Sequence, residues 1–139
     1  MIRVAIVDDQ PIVRASLRDF LHSQPGMDVV AEGCNGSQAV ALVKRCEIDV
    51  LLMDLCMPGR NGLDALSTIR ALAPQLGVLI LSGYPEERYA PRLLQQGAAG
   101  FLHKNCQPDD IIDAIRAIAD GRGHWIPGAA PADARMSMR

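Results

Sequence analysis

Residues 48 to 58 read Ile48-Asp49-Val50-Leu51-Leu52-Met53-Asp54-Leu55-Cys56-Met57-Pro58. The unbroken apolar run from Val50 to Met53 lacks polar alternation, which is the pattern of a strand buried on both faces. Such a strand belongs to a parallel sheet between two helical layers, and no other feature of the chain restricts the fold as sharply. The run ends in a lone carboxylate, Asp54, with Pro58 soon after. In an open parallel sheet the carboxyl ends of the strands form the ligand-binding edge, so Asp54 is placed for chemistry.

A second stretch has the same grammar: Arg3-Val4-Ala5-Ile6-Val7 runs straight into Asp8-Asp9. Neighbouring strands lie ~5 Å apart, so two that end in acid bring three carboxylates to one edge. Three anions that close repel one another and call for a cation. Hard oxygen ligands suit Mg2+, which takes a few carboxylates and keeps waters that a phosphate can replace.

The rest of the chain repeats the strand and helix alternation. Pro11 opens a first helix through Ile12, Val13, Ser16, Leu17, Phe20 and Leu21, which Pro25-Gly26 ends. Asp28 to Gly33 is a short second strand, and Ser37 is the expected cap of a second helix bearing Ala39, Val40, Leu42 and Val43. A third helix runs through Leu63, Leu66, Ile69 and Leu72 to Pro74. The fourth strand, Gly77 to Leu81, ends in Ser82-Gly83, a hydroxyl where strands 1 and 3 carry acid. A fourth helix over 86–96 contains Pro91, which predicts that it is short or kinked. The fifth strand, Ala98 to Leu102, is closed by His103-Lys104. Pro108 opens a fifth helix with Asp109 and Asp110 in its first turn, Ile111, Ile112, Ile115 and Ile118 along its buried face, and Gly121 at its end. Five strands and five helices in alternation predict an α/β, doubly wound five-stranded parallel sheet in the order 2-1-3-4-5. Asp8, Asp9, Asp54, Ser82 and Lys104 then converge on one edge.

Composition narrows the functional classes. The 139 residues carry a net charge of -2, which leaves no electrostatic footprint for nucleic acid or an anionic membrane. Cys34, Cys46, Cys56 and Cys106 form no C-x-x-C and have no paired histidine, so they read as small fillers rather than metal ligands. His22, His103 and His124 read as surface residues. No apolar run approaches the ~20 residues of a membrane span and no signal peptide opens the chain, so a cytoplasmic protein with reduced thiols is expected.

Val7-Asp8-Asp9-Gln10-Pro11, Met53-Asp54-Leu55-Cys56-Met57-Pro58-Gly59, Leu81-Ser82-Gly83 and Gly97-Ala98-Ala99-Gly100-Phe101-Leu102-His103-Lys104 resemble the signature blocks of response-regulator receiver domains. The likeness runs from residue 2 to about 121, and its finer details resemble the NarL/FixJ type of transcriptional regulator. It implies a flavodoxin-like receiver fold over residues 1–121, with 122–139 a linker or disordered tail leading to a C-terminal output domain absent from this chain.

Residue by residue, the resemblance makes Asp54 the phosphoryl acceptor from a sensor histidine kinase. Asp9 and Asp54 would hold Mg2+ directly, Asp8 through water, and the backbone carbonyl of Cys56 would complete the protein ligands. Lys104 and Ser82 would contact phosphoryl oxygens, and Phe101 matches the switch aromatic. The implied partners are the kinase, a second copy in a phosphorylation-dependent homodimer, and DNA only through the output domain; no membrane is involved. Catalysis would extend only to gain and loss of the protein's own phosphoryl group. Tyr84, two residues beyond Ser82, is expected to screen the acyl phosphate from water.

Other classes fit less well. A haloacid-dehalogenase-like phosphatase has an Asp-x-Asp nucleophile on strand 1 and a cap insertion, neither of which is present here. No G-x-G-x-x-G follows strand 1, which argues against a dinucleotide site. A stand-alone receiver acting through a protein partner is the remaining alternative to a piece of a DNA-binding regulator.

Overall fold

The computed structural model describes residues 1–54, 62–83 and 95–121. Strand β1 (Ile2–Val7) leads to helix α1 (Pro11–His22), β2 (Met27–Gly33) to α2 (Gly36–Arg45), and β3 (Val50–Asp54) to α3 (Gly62–Leu72). Then come β4 (Gly77–Ser82), β5 (Gly100–His103) and α4 (Pro108–Ala119), the last being the fifth helix predicted from sequence. All strand pairings are parallel, in the order β2-β1-β3-β4-β5. The predictions for Pro91, Tyr84, Cys56 and residues 122–139 fall outside the described residues.

Strand residues alternate between two cores because successive side chains leave a strand on opposite faces. Ala5, Val7, Leu51, Met53, Val78, Ile80 and Phe101 pack with α2 and α3. Val4, Ile6, Val50, Leu52, Leu79, Leu81 and Leu102 pack with α1 and α4. Asp8, Asp54 and Lys104 continue the numbering of this second set, 4-6-8, 50-52-54 and 102-104. At the carboxyl edge the same periodicity that buries leucines therefore sends three charged side chains to one face of the sheet.

Two local expectations are corrected. The cap of α2 is Asn35, whose side chain accepts the Gln38 N–H at 2.8 Å, so the helix begins at Gly36 rather than after Ser37. Asparagine reaches the third backbone donor as well as serine does, and the turn starts one residue pair earlier. Ile12, expected on the apolar face of α1, is 82% exposed, while Leu21 is buried and Leu17 and Phe20 pack against the core.

Opposite the acidic edge, Arg3 and Asp49 fasten β1 to the start of β3. The guanidinium donates from Nε and Nη2 to the Asp49 carboxylate at 3.2 and 3.1 Å, and the Arg3 N–H donates to Oδ2 at 2.8 Å. The Asp49 N–H returns a bond to the Arg3 carbonyl at 2.8 Å.

Candidate phosphoryl and metal site

The β1–β2 ladder continues one residue past β1, with the Asp8 N–H donating to the Gly33 carbonyl at 3.1 Å. Asp8 is 1% exposed, and its Oδ1 accepts the Gln10 N–H at 2.9 Å, which shapes the turn into α1. The reading of Asp8 as a helix-entry residue and its reading as a site residue are therefore both satisfied by one carboxylate, which has a second oxygen to spare. Register pairs Val7 with Met53, which sets Asp8 beside Asp54, the 5% exposed last residue of β3.

Lys104 bridges the two acids. Its Nζ lies 3.2 Å from Asp8 Oδ2 and 3.2 Å from Asp54 Oδ2. The side chain arrives there because the Lys104 N–H donates to the Ser82 carbonyl at 2.8 Å, extending the β4–β5 ladder past its end. Burial alone would pull the lysine pKa down, but the charges of Asp54 and Asp8 and their hydrogen bonds outweigh it, so the pKa rises above the ordinary value. The ammonium is charged at neutral pH and is held between two carboxylates.

Asp8, Asp9 and Asp54 each offer an oxygen, all within 4.8 Å of one another. Three carboxylate oxygens this close can share one small cation such as Mg2+, directly or through its waters. An all-oxygen donor set of partly buried carboxylates fits Mg2+ in charge and in hardness.

Ser82 is fully buried at the end of β4, at the same edge. Phe101 is also fully buried, but one step down: it pairs in register with Ile80 and packs in the core shared with α2 and α3. The structure thus brings Asp8, Asp9, Asp54 and Lys104 into one cluster, sets Ser82 beside it and leaves Phe101 beneath it. Cys56 lies outside the described residues.

Two residues were missed in the sequence. Arg14 donates from Nη1 to the Asp8 carbonyl at 2.7 Å, and its Nε pairs with Glu32 at 3.4 Å, so it braces the acidic turn against β2. An arginine one turn into a helix that follows an acid pair was the available signal. His103, read as a surface residue, is half-buried and hydrogen-bonded at both ring nitrogens. Its lack of metal-like spacing said nothing about a bridging role.

The family model described as the response regulator receiver domain matches residues 4–116. The nitrate/nitrite response regulator protein NarP of Escherichia coli (strain K12) is 40% identical over 121 residues, which cover 86% of this chain and 55% of NarP. A LuxR-family two-component response regulator from Aurantimonas sp. SI85-9A1 superposes with a TM-score of 0.85 at 32% identity, covering 97% of this chain and 95% of that one. The isolated REC domain of RcsB from Salmonella enterica serovar Typhimurium, solved in the presence of the phosphomimetic BeF3-, superposes with a TM-score of 0.83 at 25% identity, covering 91% of this chain and 94% of that one. The chain spans about half the length of the curated relatives it matches, between 53% and 55% of the first three.

Proposed function

This chain belongs to the response-regulator receiver family of two-component systems, with relatives of the NarL and LuxR type, and from that premise we propose that Asp54 accepts a phosphoryl group from a sensor histidine kinase. The observation that carries the reading is the placement of the Lys104 ammonium 3.2 Å from both the Asp8 and the Asp54 carboxylates, in a cluster of three acids. An Asp54 oxygen attacks phosphorus in line, the P–N bond of the donor's phosphohistidine breaks, and the imidazole leaves with a proton from solvent. The product is an acyl phosphate. Lys104 exchanges its carboxylate contact for an oxygen of the incoming group and offsets the charge gathered there. Ser82 donates its hydroxyl to a second oxygen. Asp9 and Asp54 would hold Mg2+, with Asp8 behind a water and the Cys56 carbonyl as the further ligand that the family resemblance implies, and the ion bound there would supply positive charge to offset that of the phosphoryl oxygens.

The reaction changes the protein itself, and no other substrate is turned over beyond loss of the same phosphoryl group to water. This reading puts the reaction in the cytoplasm. Drawing Ser82 toward the phosphate shifts Phe101 and favours a second state of the face formed by the fourth predicted helix, β5 and α4. In that state two copies pair, and residues 122–139 connect the receiver, over 1–121, to a DNA-binding output domain. The longer curated relatives, among them regulators named as transcriptional, support that assignment.

The test is incubation with Mg2+ and acetyl phosphate, followed by intact mass and sedimentation. Wild type gains one phosphoryl group and moves toward dimer mass; Asp54→Ala does neither. A mutant that still gains the group, or a folded wild type that never does, sinks the assignment.

A further inference from the structure

His103 ends β5 and makes two hydrogen bonds at once. The backbone N–H of Asn105 donates to its Nδ1 at 3.0 Å, and its Nε2 lies 3.1 Å from the carbonyl oxygen of Gly83. A backbone N–H can only donate and a carbonyl can only accept. One form of the ring satisfies both, the neutral imidazole with its proton on Nε2. The ring therefore ties the residue after Lys104 to the residue after Ser82. Strand register brings it there, since His103 pairs with Ser82 across the β4–β5 ladder.

We infer that His103 is a positioning residue: its imidazole clasps the turn after Ser82 to the turn after Lys104, so that the hydroxyl and the ammonium address the phosphoryl group on Asp54 as a unit. The inference rests on the reading above, in which those two side chains contact that group. A hydroxyl on a short stem can be aimed only by its backbone, and an ammonium on a flexible stem wanders unless its root is fixed. The Lys104 N–H bond to the Ser82 carbonyl supplies one tie between the two turns, and His103 supplies a second. An imidazole suits this task because its acceptor and donor stand on a rigid ring at a fixed span.

Three substitutions separate the two bonds. Asparagine retains an acceptor near the Nδ1 position, glutamine a donor near the Nε2 position, and leucine neither. In wild type at about pH 8, where an imidazole is neutral, long-range 1H–15N correlation should show the proton on Nε2 of His103. His103→Leu should take phosphate from acetyl phosphate and Mg2+ about tenfold more slowly, with His103→Asn and His103→Gln each recovering part of the loss. A proton on Nδ1, or a folded His103→Leu that matches the wild-type rate, overturns the clasp. If the leucine variant does not fold, the other two decide: both slowed supports the clasp, and both at the wild-type rate overturns it. The tautomer is read without phosphate. A wild type that shows Nε2–H yet takes up no phosphate overturns the Asp54 reading, and the positioning role with it, while the two hydrogen bonds of the ring stand.

Discussion

A lysine between two buried carboxylates does two things at once. It offsets repulsion that would otherwise disfavour the closed cluster, and it stands where an incoming anion must be met. Lys104→Met should therefore keep the fold while slowing phosphate uptake from acetyl phosphate about a hundredfold, as measured by intact mass over time. Asp54 and Asp8 were legible as site residues because each ends an apolar run. The convergence of Lys104 on both of them depends on which strands are neighbours. Arg14 and His103 were not legible in the same way: the bonds that tie them to the site run to backbone atoms at Asp8, Asn105 and Gly83, and backbone groups leave no mark in a sequence.

At the level of elements, Arg3 on β1 and Asp49 before β3 join the two strands at the end far from the acidic edge. Hydrogen bonds from Arg3 hold the Asp49 carboxyl below the usual aspartate range, against an opposing push from burial. The unfolded chain thus binds this proton more readily than the folded one. The contribution of the pair is complete above the ordinary aspartate value of about 4 and is lost as pH falls below it. Asp49→Asn should lower the Tm by a few degrees at most at neutral pH, because a half-exposed pair is screened by solvent. The deficit should shrink as pH falls below the ordinary aspartate value, where the unfolded chain takes up the proton before the folded one does. A thermal scan series across pH reads this directly. On the other face, Gly77 begins β4 where a Cβ would overlap Cγ2 of Ile118 on α4. Gly77→Ala should cost ~1–3 kcal/mol by denaturant unfolding, and much of that cost should disappear in a background of Ile118→Ala, where the overlap is gone. The strands were predictable in number and place because apolar runs bounded by turns are local. Helix entries were less so: Asn35 and Ser37 are both good caps, and the choice between them is made by the path of the chain out of β2.

For the whole molecule, an ion that binds only the assembled cluster must stabilise the fold by mass action. Mg2+ at ten times its Kd should add ~1.4 kcal/mol, seen as a Tm rise of a few degrees that a chelator reverses and that Asp9→Asn largely removes. Among the described residues no helix is long and apolar enough to cross a membrane, and two apolar cores lie on either side of the sheet. By itself the sequence determined the alternation of buried strands and amphipathic helices, the acids at strand ends and the likeness to receivers. These are properties of adjacent residues, set by side-chain period and by turn chemistry. Only the tertiary structure decided that Lys104 meets both Asp8 and Asp54, that Phe101 lies beneath the site and that His103 bridges two turns. Each of these joins segments distant in the chain, and their distance in space is set by strand order and register, which no single stretch contains.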